Sequence, residues 1–124
     1  MGQITVISIP VKDQKKSKDF YMEILEFNFI HQEQFDENKF WIQLAPSEGE
    51  TSICLTTWFK SMSPGSLKGL VLGTRNFDED YCIFSGRGLN LGKIVDSPWG
   101  RSAIFSDPDG NEWVLQEIVG FDNK

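Results

Sequence analysis

Cysteine, histidine and basic charge are scarce in this chain, and each scarcity removes a class of function. Two cysteines (Cys54 and Cys82) and one histidine (His31) in 124 residues make neither a disulfide framework nor a zinc-ligand set. Two cysteines fit reduced thiols in a cytoplasm. Twelve Lys and Arg stand against 18 Asp and Glu, a net charge of −6. Such a balance, without a basic stripe, argues against nucleic acid and anionic membrane surfaces as partners. No apolar run approaches the ~20 residues that a membrane span needs. A strand pattern begins at Gln3, which leaves no room for a charged region followed by an apolar leader, so the expected location is cytoplasmic. The chain also lacks a nucleophile elbow, a phosphate-binding loop and a Cys-x-x-Cys pair.

What remains is one domain rich in aromatics, with 10 Phe, 4 Trp and 2 Tyr, which suit a core or a pocket lining equally. Element order repeats. Gln3 to Val11 reads as a strand, and Asp13 can cap a helix that places Phe20, Tyr21, Ile24 and Leu25 on one face with Ser17. Strands over Phe27 to Phe35, Lys39 to Ala45 and Thr51 to Trp58 follow, separated by polar turns. In the second half, Leu67 to Thr74 reads as a strand, and Asn76 with Glu79 suggests a capping box. Phe77, Tyr81 and Phe84 then share a helical face that ends at Gly86-Arg87-Gly88. Leu89 to Asp96, Arg101 to Ser106 and Glu112 to Val119 complete the plan. The pattern predicts an α+β fold of two βαβββ modules, residues 3–59 and 67–119, joined by a linker at 60–66.

The most distinctive local motif is Asp107-Pro108-Asp109-Gly110-Asn111. Pro108 presets φ, the Asp and Asn side chains can bond local amides, and Gly110 supplies a positive φ. Ile104-Phe105 and Trp113-Val114-Leu115 flank it, so the turn closes a hairpin. This ending resembles the last hairpin of the vicinal oxygen chelate superfamily, which comprises glyoxalases, bleomycin-resistance proteins and extradiol dioxygenases. The opening Ser8-Ile9-Pro10-Val11-Lys12-Asp13, with Phe20-Tyr21 and Leu25-Glu26-Phe27, resembles that superfamily's first strand, helix and helix exit. Glu26 stands where glycine is usual. The resemblance covers about residues 3–119. It implies curved, largely antiparallel sheets around a concave cavity, helices on the convex side, and a homodimer.

Metal-dependent members of that superfamily carry His, Gln or Glu on the first and last strand of each module. Matched residue by residue, those positions here are Val6, Cys54, Gly69 and Val114. Three of the four lack a donor atom, and a lone Cys54 does not make a site. The resemblance therefore implies neither metal nor cofactor. Strand alternation puts Val6, Cys54, Gly69 and Val114 into the concave space. The same alternation turns Ile7, Ile9, Ile53, Leu55, Leu70, Leu72, Trp113 and Leu115 toward the helices.

Candidate ligand-binding residues are Trp58 and Trp99, as aromatics in connections, Arg101 as a planar cation, and Glu112 and Gln116 on the face of Val114. Cys54 joins them as a small cavity-facing side chain. Arg101 equally suits a surface ion pair, and Glu112, beside the turn, equally suits solvent. Gly73 and Gly69 leave room on the fifth strand. Two functions remain open. One is a metal-independent small-molecule binding protein that buries an aromatic or amphipathic ligand. The other is a lyase, isomerase or dioxygenase using a divalent metal at a displaced site.

Overall fold

The structure is a computed structural model that describes residues 2–118. Its elements, in chain order, are β1 (Val6–Pro10), α1 (Gln14–Asp19), a π-helical turn (Phe20–Ile24), β2 (Asn28–Asp36), β3 (Lys39–Ala45), β4 (Ser52–Thr56), β5 (Leu70–Thr74), α2 (Phe77–Gly86), β6 (Val95–Ser97), β7 (Gly100–Ser106) and β8 (Glu112–Glu117). The order is βαβββ twice, and the fold is α+β with two four-stranded sheets, β1-β4-β3-β2 and β5-β8-β7-β6. Each sheet holds one parallel pair, β1 with β4 and β5 with β8, and is otherwise antiparallel. None of the described helices is long and apolar enough to cross a membrane.

The chain divides into two compact units. The first runs up to Leu67 and includes the five-residue turn Asp107–Asn111. The Asp13 side chain caps α1 by accepting from the Lys16 amide at 3.1 Å, which satisfies one of the helix's orphan donors. Gln14 then donates through Nε2 to the carbonyls of Phe40 and Leu55, each at 2.8 Å, tying the helix to β3 and β4. Tyr21, Leu25, Ile9, Ile42, Leu44, Ile53 and Leu55 are buried with it. Glu26 adopts φ +61° at the helix exit, so this chain tolerates a left-handed residue where glycine would be free of cost.

The Asp107–Asn111 turn buries its two ends, Asp107 and Asn111, and leaves Pro108 and Gly110 exposed. Asp107 Oδ1 accepts from the amides of Asp109, Gly110 and Asn111 at 2.9–3.0 Å. Its Oδ2 accepts from the Tyr21 hydroxyl at 2.7 Å and from Asn111 Nδ2 at 2.8 Å. Asn111, fully buried, also donates to the Pro10 carbonyl at 2.9 Å and accepts from the Leu67 amide at 3.1 Å. The motif thus fixes its own conformation and anchors β1 and the end of the linker.

The second unit comprises Lys68–Ser106 and the strand after Asn111. Its core is Phe77 and Phe84 from α2 with Leu89, Ala103, Phe105, Trp113 and Leu115. The rings of Phe105 and Trp113 stack at 6.1 Å across β7 and β8. The expected capping box is not formed: Asn76 makes no side-chain bond to the helix backbone. Asn76 Nδ2 instead reaches Glu79 Oε1 at 3.4 Å, and the Thr74 hydroxyl accepts from the Asn76 amide. The expected strand over Leu89 to Asp96 shortens to Val95–Ser97, because the Gly92 amide bonds the Ile104 carbonyl at 2.8 Å outside a ladder. Val119, at the end of the last expected strand, lies outside the described residues.

Candidate functional site

Each sheet has one face toward its helix and one face without a helix, and pairing fixes which side chains share the latter. In the first sheet Ser8 pairs with Cys54 and Cys54 with Gln43, while Val6 pairs with Ser52. Paired residues point the same way, so Val6, Ser8, Ser52, Cys54, Gln43 and Trp41 share a face opposite Ile9, Ile53 and Leu55. A chain of hydrogen bonds crosses it. Trp41 Nε1 donates to Gln43 Oε1 at 2.9 Å, Gln43 Nε2 to Ser52 Oγ at 2.7 Å, and Ser52 Oγ to the Thr5 carbonyl at 2.9 Å.

Trp58 lies just beyond β4 at the centre of an aromatic cluster. Phe35 meets it edge-on at 4.9 Å, Trp41 stacks at 6.4 Å and Phe59 packs at 5.7 Å. Trp58 and Trp41 are half-buried, and Phe35 and Phe59 are exposed. Such rings present flat, polarisable surface that is costly to leave in water. Sequence reasoning singled out Trp58 but not Gln43, which β3–β4 pairing sets beside Cys54, nor Trp41 and Phe35, which reach Trp58 through ring contacts from β3 and β2. Cys54 is completely buried, and burial pushes its thiol pKa up. A raised pKa opposes thiolate formation, the reverse of what a nucleophile needs.

In the second sheet β8 alternates. Trp113 and Leu115 are buried, whereas Glu112, Val114 and Gln116 are only partly covered. Val71, Val114 and Ile104 lie in register across β5, β8 and β7, and Val71 is 60% and Ile104 51% exposed. They form an aliphatic row on the helix-free face. Glu112 pairs with Ser106 at one end of it and approaches Lys68 Nζ at 4.0 Å. Gln116 flanks the other end. Its Nε2 donates to the carbonyls of Trp99, Arg101 and Glu117 at 3.1–3.4 Å, so its amide holds the β6–β7 turn. Trp99 at the tip of that turn is 64% exposed.

Arg101 is not brought to this face. It shares the side of Ala103 and Phe105, with its guanidinium 5.5 Å from the Phe77 ring centre. It ion-pairs with Asp78 and, at 3.3 Å, with Asp96. Of the two roles expected for Arg101, the ion pair is the one formed; strand parity puts Arg101 with Phe105, whereas Gln116 pairs with Ser102.

A metal at the superfamily's strand positions finds no coordination set. Val6 and Gly69 and Val114 offer no donor, and the Cys54 thiol is held neutral. No group of three or more His, Cys, Asp or Glu among the described residues is placed to hold a metal ion. The donor chemistry does not fit a divalent ion.

Comparison with known proteins gives one family match and three similar proteins. The model of the Glyoxalase/Bleomycin resistance protein/Dioxygenase superfamily matches residues 3–115. The chain is 40% identical to TnmS3, an antibiotic binding protein from Streptomyces sp. CB03234, covering 96% of this chain and 98% of that one with a TM-score of 0.89. A glyoxalase/bleomycin resistance protein from the same Streptomyces is 41% identical over 92% of this chain and 99% of its own, at a TM-score of 0.84. An uncharacterized protein of Bacillus subtilis (strain 168), YetH, is 28% identical over 93% of this chain and 98% of its own length.

Proposed function

Since the chain belongs to the Glyoxalase/Bleomycin resistance protein/Dioxygenase superfamily, we propose that it is a metal-independent binding protein for an aromatic or amphipathic small molecule of antibiotic type, acting as a cytoplasmic homodimer. The observation that carries this reading is the Trp58 cluster, four aromatic rings of which Trp41 belongs to the helix-free sheet face. Without a metal to fix an oxygen pair, orientation has to come from flat aromatic surfaces and a few polar groups. The 40% identity to an antibiotic binding protein along nearly the whole chain supports the same ligand class.

The physical roles follow from the geometry. Trp58 and Trp41 offer stacking worth roughly 0.5–1.5 kcal/mol per aromatic pair beyond buried area. The chain from Trp41 through Gln43 to Ser52 locks the Trp41 ring, so little rotamer entropy is lost when a ligand arrives. On the second sheet, Val71, Val114 and Ile104 provide an apolar platform, Glu112 an acceptor at its rim, and Trp99 a projecting ring steadied by Gln116. Cys54 acts by being small and neutral.

The test is a tryptophan-fluorescence titration with a panel of aromatic and amphipathic antibiotics, with and without EDTA. Saturable quenching that survives EDTA and is weakened about tenfold or more by Trp58→Ala is the expected result. Binding or turnover abolished by chelation, with Trp58→Ala silent, would overturn the reading in favour of a displaced metal site.

A further inference from the structure

β2 has two faces, and one of them already holds a cation from within the chain. Lys18 Nζ, from α1, lies 4.7 Å over the Phe29 ring and bonds Gln32 Oε1 at 3.1 Å. An ammonium there rests on one aromatic ring and one oxygen of the same strand. The attraction is that of a positive charge for the negative face of a π-system. Gln32 pairs with Ile42, a core residue, so this is the helix-bearing side of the sheet.

The opposite face carries the same two ingredients, with a carboxylate in place of the amide. Glu33 stands directly across from Trp41, and His31 from Gln43, in the regular stretch of the β2–β3 ladder. Glu33 therefore shares the helix-free face, its Cβ about 4.5–5.5 Å from that of Trp41. His31 Nε2 lies 3.0 Å from Glu33 Oε1, a contact that orients the carboxylate. Trp41 stacks on Trp58, and Phe35 meets Trp58 at 79°, so the rings form a corner rather than a parallel slot. A slot suits a flat ring slid between two others, whereas a corner of rings beside a carboxylate suits a rounded ammonium. Lys39 on β3 is taken up by Asp36 at 3.7 Å, and Lys15, Lys16 and Lys18 belong to α1. Glu33 is 66% exposed, open to a ligand, and the net charge of −6 draws cations toward the protein.

We infer that this corner is a subsite for a protonated amine, so that the amphipathic ligand of the first sheet is a cation. Its ammonium lies against Glu33 and Trp41, and its apolar body lies on Trp58. The inference rests on the proposed function and names the ligand charge which that reading leaves open. A carboxylate accepts a charge-assisted hydrogen bond from an ammonium, and the rings replace part of the water that the cation sheds. A neutral ligand of similar shape gains the rings alone. Glu33 thus sets the charge preference, while Trp58 serves charged and neutral ligands alike.

Calorimetric titration with a matched pair of probes tests this: naphthylmethylamine, protonated at neutral pH, and its uncharged N-acetyl derivative. The amine is expected to bind about tenfold or more tightly than the amide. Glu33→Gln is expected to cut that preference below about threefold and leave the amide's affinity unchanged, whereas Trp58→Ala weakens both probes. Glu50→Gln removes the same charge from the exposed β3–β4 turn. It controls for net charge and is expected to keep the preference. Both glutamates are exposed, and circular dichroism checks that each variant is folded. Equal affinity for the two probes in the unsubstituted protein, with Trp58→Ala weakening both, would overturn the cation and leave the binding reading standing. Equal loss of preference in Glu33→Gln and Glu50→Gln would overturn Glu33 as its seat. Binding of neither probe would overturn the inference as well, and the antibiotic titration then decides the proposed function by itself.

Discussion

The two sheets share strand order and pairing, yet they handle their helix-free faces differently. In the first, β4 is buried along its whole length and the neighbouring surface carries Trp41, held by a hydrogen-bond chain, and Trp58 stacked on it. In the second, the equivalent strand β8 alternates, and its open side presents valine and isoleucine. The backbone plan therefore sets which residues face outward, and side-chain choice alone sets what that surface recognises. At the matched positions the first sheet offers only the Cys54 thiol as a donor side chain, and the second offers none at Gly69 or Val114.

The contrast is sharpest between turns. Asp107 satisfies five donors in the first unit, whereas the β6–β7 turn of the second is closed on its own strand by Ser97 Oγ donating to the Gly100 carbonyl at 2.8 Å. Each buried donor left unpaired costs about 1–3 kcal/mol. Asp107→Ala should therefore lose roughly 3–5 kcal/mol in urea unfolding, and Ser97→Ala less than about 1 kcal/mol. Equal losses would mean that the buried turn is no more than a connection.

Two glycines of similar backbone sharpen the comparison further. A Cβ on Gly65 would lie 2.0 Å from the Asp109 carbonyl oxygen, while one on Gly69 meets nothing within 4 Å, and both have positive φ. Gly65→Ala should cost roughly 2–4 kcal/mol, combining strain and overlap, and Gly69→Ala about 1–2 kcal/mol from backbone strain alone. Thermal denaturation of the pair reads the difference directly.

For binding, the comparison is between a ring on a helix-free face and a cation on a helix-bearing one. Trp58→Ala should weaken ligand affinity about tenfold, and Arg101→Ala less than about twofold, with its effect on stability instead. The reverse ranking would place the ligand on the α2 side of the second sheet.

Much of this was legible in the sequence. Alternation in Trp113-Val114-Leu115 fixed the facing of β8, and Asp13 announced the α1 cap, because both are local properties. The Asp107–Asn111 motif was readable as a turn but not as a buried anchor, since its partners Tyr21 and Pro10 lie 86 and 101 residues away in sequence. A similar gap hid Trp41, which meets Trp58, 17 residues away, only through a ring contact. The role of Arg101 stayed open in the sequence for a related reason. Its facing in β7 is set by the β8 register, not by the aromatic turn that precedes it.

The thiols give the smallest effect. Exposed Cys82 should react with a thiol reagent at neutral pH, while Cys54 stays silent until the protein unfolds. Stability owed to the neutral Cys54 thiol should be complete below the ordinary thiol range. It should decline as pH climbs through the raised folded-state value, because the unfolded chain releases that proton first. Rapid modification of both thiols would contradict the burial of β4.

The central claim is recognition without a metal, and one experiment on a single preparation tests it: metal content after dialysis, measured together with ligand titration before and after EDTA. The account predicts metal well below one equivalent per chain and a titration curve that chelation leaves unchanged. Stoichiometric zinc, nickel, manganese or iron that survives dialysis, with binding lost on chelation and restored by that metal, would contradict it.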